Sequence, residues 1–200
     1  MTPLPPRLAV VAGLVPEGAT VLDVGCADGR LLRYLRDAKG VDGRGIELDP
    51  ERVSAALAHG LSVVQGDADR DLADFPTQSV DCAILSETLQ ATRAPHLVLD
   101  QLLRIGRRAI VSFPNFGHWR ARLALLLGGR MPVTPALPES WHETENIHLC
   151  TIRDFRALAE ARGARILSET YLAGDRRVRL HPNLMADHAI LLLGRAEAPG

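Results

Sequence analysis

The run Val21-Leu22-Asp23-Val24-Gly25-Cys26-Ala27-Asp28-Gly29-Arg30 constrains this chain more than any other stretch. An apolar strand pattern over Thr20–Val24 passes through a turn of small residues straight into a helical pattern, Arg30–Lys39, that stops at Gly40. Gly25 permits the tight turn, and the small Ala27 and Gly29 let a ligand approach the backbone closely. Amides at the start of the following helix can face a carboxylate or another polar ligand group. A plain strand–helix connection has the same form, so the meaning of the turn depends on what the rest of the chain brings to it.

The rest of the chain repeats the alternation. Strand patterns are expected at Arg44–Leu48, Leu61–Val64, Val80–Leu85 and Ala109–Phe113. Asp49-Pro50-Glu51 reads as an N-cap, a proline at the first helical position and an acidic first turn, opening a helix to about Ala58. Another helix is expected over Pro95–Arg104. This order predicts an α/β fold with a mostly parallel sheet, right-handed crossovers and helices on both faces. After Phe113 the rhythm breaks. Residues 114–150 hold both tryptophans and a series of glycines and prolines, and read as an irregular helical insert over the carboxyl edge of the sheet. A last helix, Ile152–Arg162, precedes strand patterns at Arg165–Leu172 and Ala189–Leu193, a closing pair that gives the sheet an antiparallel edge. The basic run Arg176-Arg177-Val178-Arg179 reads as a solvated loop before the final strand.

Composition narrows the class. Two hundred residues suit a single domain over 1–200, and 46% hydrophobic residues suffice for its core. A formal net charge of −1 argues against a general binder of nucleic acid or of membrane surfaces. No apolar run approaches the ~20 residues that span a bilayer, and Met1-Thr2-Pro3-Leu4-Pro5-Pro6 lacks the pattern of a secretory leader. Three cysteines, Cys26, Cys82 and Cys150, are an odd count, two of them within or beside strand patterns. Buried, reduced thiols and a cytoplasmic location are therefore expected.

Acids then appear at the strand ends. Glu47, in Gly45-Ile46-Glu47-Leu48, follows the glycine turn by about 20 residues, the spacing at which a carboxylate accepts both ribose hydroxyls in dinucleotide folds. The third strand ends in Gln65-Gly66-Asp67-Ala68-Asp69, where an acid can accept from an adenine amino group. The fourth runs into Ser86-Glu87. All four points fall outside the carboxyl ends of strands, where open α/β sheets bind ligands. A nicotinamide dinucleotide is the rival ligand, but the Gly-x-Gly-x-x-Gly fingerprint and a second mononucleotide-binding half are both missing.

Across residues 18–172 this combination resembles the class I S-adenosylmethionine-dependent methyltransferases, whose acid-x-Gly-x-Gly-x-Gly pattern stands here as Asp23-Val24-Gly25-Cys26-Ala27-Asp28-Gly29. Ala27 replaces the middle glycine, and its methyl group departs from the family pattern toward the ligand. The resemblance implies a single Rossmann-like domain with seven strands and a pocket for S-adenosylmethionine or S-adenosylhomocysteine. It places Asp23 and Gly25 by the methionine moiety, Glu47 at the ribose, Asp67 and Ala68 at adenine, and Ser86 near the sulfonium. Cys26, Ala27, Gly29 and Leu48 complete the implied cofactor site.

Four further blocks narrow the family: Leu85–Ala91, Ser112-Phe113-Pro114-Asn115-Phe116-Gly117-His118-Trp119-Arg120, Leu127–Thr134 and Asn146–Ile152, of which Phe113–Trp119 and Ile147–Ile152 are the most specific. With them the chain resembles the MetW family of methionine biosynthesis proteins from about Arg7 to Leu193. That resemblance implies a partner, MetX, the homoserine O-acyltransferase, whose acyl transfer the chain would support. Aromatic and apolar residues crowd 113–150 (Phe113, Phe116, Trp119, Met131, Val133, Leu137, Trp141, Ile147, Leu149), beside Arg120, Arg122 and Arg130. Aromatics with arginine often anchor interfaces, so this segment is the expected partner surface, with a lid over the pocket as the alternative role.

Catalytic signatures are sparse. Methyl transfer is a displacement that positioning alone can promote, so it demands no nucleophile or metal. Pro114-Asn115 follows the fifth strand and reads as a turn. His118, His142, Glu143, Glu145 and His148 lack any paired ligand spacing, and structural or solvent-exposed roles are expected of the histidines. No Gly-x-Ser-x-Gly elbow is present. Cys26, beside a helix start, reads as a small packing residue rather than a reactive thiol.

Overall fold

In the computed structural model, residues 3–195 are described; Met1, Thr2 and 196–200, with the expectations that fall on them, lie outside that range. An N-terminal helix, α1 (Pro6–Leu14), precedes β1 (Thr20–Val24), α2 (Arg30–Lys39), β2 (Asp42–Glu47), α3 (Pro50–Ala58), β3 (Ser62–Gln65) and β4 (Val80–Ser86). Then come α4 (Pro95–Ile105), β5 (Gly106–Pro114), α5 (Trp119–Gly128), α6 (Ile152–Ala161), β6 (Ala164–Ala173), β7 (Arg176–Arg177), α7 (Pro182–Met185) and β8 (His188–Arg195).

The sheet order is β3-β2-β1-β4-β5-β8-β6-β7. The first five strands are parallel, and β8 runs antiparallel between β5 and β6. Seven full strands form the expected mixed sheet, and an eighth, two-residue strand closes its edge. There Arg176 and Arg177 pair with Ala173 and Leu172, so half of the basic run is a strand rather than a loop.

Side-chain alternation divides the core. On β4, Ala83 and Leu85 join a cluster with Leu99, Leu102 and Phe155 on the α4 and α6 side. Cys82 and Ile84 point the other way, into a cluster with Val11, Leu32, Leu35 and Ala56 from α1, α2 and α3. Helices thus cover both faces of the central strands, β1, β4, β5 and β8, which are buried on both sides. At the amino ends of the strands, the Thr20 amide and hydroxyl both donate to Asp81 Oδ2 at 2.9 Å, locking β1 to β4 in register.

Local chemistry sets the helix ends. The Asp49 side chain caps α3 by accepting from the Glu51 amide. Gly40, at φ 63°, closes α2 in the left-handed conformation that glycine adopts most readily. Thr151 and Asp154 form a reciprocal capping box on α6. Because β2 and β4 flank β1, the strand order reverses direction there, and the carboxyl ends of β1 and β4 splay into a crevice. No helix among the described residues is long and apolar enough to cross a membrane.

Candidate functional site

A cavity of about 900 Å³ opens at that crevice. Nine of the ten expected site residues line it: Asp23, Gly25, Cys26, Ala27, Glu47, Leu48, Asp67, Ala68 and Ser86. Gly29 does not. It starts α2 at φ 74°, and a Cβ there would lie 2.3 Å from Leu61 Cδ1, so its smallness serves helix packing rather than the cavity wall.

Gly25 is required twice over. Its φ is 72°, and a Cβ would fall 2.2 Å from Thr88 Oγ1. Ala27 also adopts a left-handed conformation, φ 50°, one that carries a steric cost for any residue with a Cβ. Its amide donates to Glu47 Oε2 at 2.8 Å, while the Asp49 amide donates to Oε1 at 3.0 Å. Buried Glu47 is thereby fixed across the end of β2, and each carboxylate oxygen keeps acceptor capacity.

Asp23 is the electrostatic anomaly. It is 2% exposed, and its Oδ1 has no hydrogen-bond partner. Burial, reinforced by the negative charge of Glu47, raises its pKa to about 7. A buried polar atom without a partner is costly, and one on a cavity wall is answered by a donor arriving in the cavity.

Of the two acids after β3, Asp69 has a structural duty: its carboxylate accepts from the Arg93 and Ala94 amides at 2.8 and 3.0 Å, satisfying the start of α4. Asp67 accepts from the Asp69 amide through Oδ1 at 2.9 Å. Ser86 Oγ lies 2.9 Å from Ser112 Oγ. Overhead, the Ile147 and His148 amides donate to the Gln90 carbonyl at 2.8 and 2.9 Å, placing Ile147 and Glu145 on the cavity roof. Arg52 of α3 reaches to 3.9 Å from Glu145.

The other polar residues disperse. His118 Nδ1 caps α5 by accepting from the Arg120 amide, and burial lowers its pKa. His142 stays beside Ser140, and His148 Nε2 meets the Arg93 carbonyl. Among the described residues, no three His, Cys, Asp or Glu side chains gather as a metal site. The Cys26 thiol is pushed up by burial and by the nearby Asp23 and Glu47 charges, so it packs rather than reacts. Asn115 ties three segments together. Its Nδ2 donates to the Ala186 and Asn183 carbonyls, and its Oδ1 accepts from the Gly117 and Ile152 amides.

Sequence reasoning missed Arg7, Arg52 and Thr88 on the cavity wall, and His188 beside Arg7. The one local signal for Arg7 was Pro6, a proline at the first position of an unread helix.

Known proteins share this architecture. One chain of the complex between the Haloferax volcanii Trm112 methyltransferase activator and a methyltransferase superposes with a TM-score of 0.73 at 20% identity, covering 96% of this chain and 90% of that one. An S-adenosylmethionine-dependent methyltransferase from Mesorhizobium loti gives 0.71 at 15% identity, covering 95% and 98%. At those identities the likeness shows the fold, a Rossmann-like methyltransferase fold, and nothing finer. Ubiquinone biosynthesis O-methyltransferase from Xylella fastidiosa is 34% identical over 148 residues, 70% of this chain and 59% of that protein. The bifunctional methionine biosynthesis protein MetXA/MetW of Rhodopirellula baltica is 34% identical over 195 residues, 91% of this chain. The chain spans only 31% of that bifunctional protein's length. The family profile "Methionine biosynthesis protein MetW" matches residues 6–193, and with it the chain belongs to the MetW family.

Proposed function

We propose that this protein binds S-adenosylmethionine or S-adenosylhomocysteine and works in the cytoplasm by binding and supporting a homoserine O-acyltransferase of the MetX kind. The observation that carries the partnership is the Rhodopirellula baltica relative, whose name joins MetXA to MetW in one chain. Covalent linkage gives two modules a high effective concentration for each other, and separate chains need a docking surface instead.

The cavity chemistry fits the nucleoside. Glu47 retains acceptor capacity and would take the ribose hydroxyls, Asp67 and Ala68 would contact adenine, and Ser86 would line the site near the sulfonium. Asp23 and Gly25 would lie by the methionine moiety, with Cys26, Ala27 and Leu48 completing the wall, and the orphaned Asp23 oxygen suits an ammonium donor. S-adenosylmethionine, when bound, supplies an electrophilic methyl group on a positively charged sulfur.

The partner surface is assigned to part of 113–150. Phe113 is excluded, because it is buried against Phe155 with ring centroids 4.8 Å apart, and Leu137 is also buried. What remains outward is α5, where Leu126 and Leu127 are 80% and 76% exposed, followed by Val133 and Trp141. A run of apolar side chains left in water marks an interaction site.

A second reading, methyl transfer to a small molecule or protein, is favoured by the 34% identity to the ubiquinone biosynthesis O-methyltransferases. Co-purification of the chain with the acyltransferase supports the first reading. Transfer of a labelled methyl group from S-adenosylmethionine to an acceptor in cell extract, with no capture of the acyltransferase, replaces it with the second.

A further inference from the structure

One charged group on the cavity lining has no role in the nucleoside site described so far, the guanidinium of Arg7. Arg7, on α1, lines the cavity, with Pro5 and Leu8 beside it. Its Nη1 donates to Glu87 Oε1 at 2.6 Å and lies 2.6 Å from His188 Nε2. A guanidinium has donors only, so Nε2 accepts and the imidazole proton sits on Nδ1. That nitrogen donates to Asp187 Oδ1 at 3.0 Å, and Asp187 Oδ2 accepts from the Gly174 amide at 2.8 Å. The chain of contacts fixes the Arg7 head from two sides. Glu87 reaches it from a backbone at φ 60°, an unusual conformation for glutamate that the neighbouring structure must enforce.

Only Nη1 is spoken for. Among the described residues, Nε and Nη2 of Arg7 have no hydrogen-bond partner. Those two nitrogens form the edge of a guanidinium that grips a carboxylate with two parallel bonds. On the same cavity, Asp23 offers an unanswered carboxyl oxygen. A fixed cation and a buried acid lining one cavity complement a zwitterion.

We infer that Arg7 is a carboxylate anchor for an α-amino acid group, supplied either by the methionine tail of the bound nucleoside or by a separate amino acid beside it. The inference rests on the reading that the cavity takes this nucleoside. Calorimetry on the full chain tests it with two probes, S-adenosylhomocysteine and 5′-deoxy-5′-methylthioadenosine, a nucleoside thioether without the amino acid group. If the tail is the source, Arg7→Ala weakens S-adenosylhomocysteine about 10- to 100-fold, leaves methylthioadenosine unchanged, and Arg7→Lys restores only part of the loss. If a separate amino acid is the source, both nucleosides bind Arg7→Ala normally. L-homoserine or L-methionine then binds the S-adenosylhomocysteine-loaded wild type and not the variant. Equal losses for both nucleosides, or a variant matching the wild type in every arm, overturns the anchor alone. A wild type that binds neither nucleoside overturns the nucleoside reading and the anchor with it.

Discussion

Asp23 holds its proton to about pH 7 in the folded chain, because burial and the Glu47 charge both oppose ionisation. Unfolded, the same carboxyl releases its proton near pH 4. Between those values the native state binds more protons, so the Asp23 contribution to stability falls as pH rises from about 4 to about 7 and levels off above that. Urea titrations at pH 5 and pH 8 should show wild type losing up to a few kcal/mol over this range relative to Asp23→Asn. Parallel behaviour of the two proteins contradicts the account of Asp23. Ala27 offers an independent test. Relief of left-handed strain is worth ~1–2 kcal/mol and exceeds the ~0.4–1 kcal/mol of unfolded-state entropy gained, so Ala27→Gly should raise stability by up to about 1 kcal/mol in the same titration. Both positions were legible in sequence because they sit in one local pattern, the end of β1 and the glycine turn that follows it. Arg7 and His188 were not, nor was the tie between them and Glu87. Arg7 lies 80 residues from Glu87 and 181 from His188, and only the closed sheet brings the three together.

Elements with strong end signals matched their sequence reading to the residue. Thr20–Val24, Arg30–Lys39 and Pro50–Ala58 are bounded by a glycine turn, a C-terminal glycine and an Asp-Pro cap. Helix α1 was missed because prolines crowd its start, and β7 because a two-residue strand of exposed arginines carries no alternation. Helix α5 is the instructive case. Its leucines suggest a buried helix, yet only Ala121 is buried, a difference that composition cannot reveal. In the Pro114-Asn115 turn, Asn115 clasps the end of β5 to the start of α6 and to Asn183 and Ala186 of α7 and its C-cap. Losing four hydrogen bonds inside the core should make Asn115→Ala destabilising by about 3 kcal/mol or more. Asn115→Asp should also be destabilising, because its carboxylate cannot donate to the Ala186 and Asn183 carbonyls. A thermal midpoint unchanged in either variant removes the clasp from the account.

Under the proposed function, the whole molecule has two functional ends: a cavity at the crevice between β1 and β4, and the exposed apolar side chains of α5. Fold class and nine of the cavity-lining residues follow from alternation, the glycine turn and strand-end acids. The division of 113–150 into buried Phe113, roof residue Ile147 and outward leucines needed three dimensions. If the two ends are separate, charge on α5 should leave the cavity alone. Leu126→Glu and Leu127→Glu, at exposed positions, should shift stability by no more than about 0.5 kcal/mol and leave S-adenosylhomocysteine affinity unchanged. Capture of the acyltransferase by either variant should fall at least about tenfold if α5 lies at the centre of the interface. The most direct measurement is the rate of acyl transfer to homoserine by purified acyltransferase as this chain is titrated in, with S-adenosylmethionine present and absent. The account predicts a rate that rises and saturates with wild type and stays at its basal value with Leu126→Glu. A rate indifferent to the wild-type chain at every concentration, with and without the nucleoside, contradicts it.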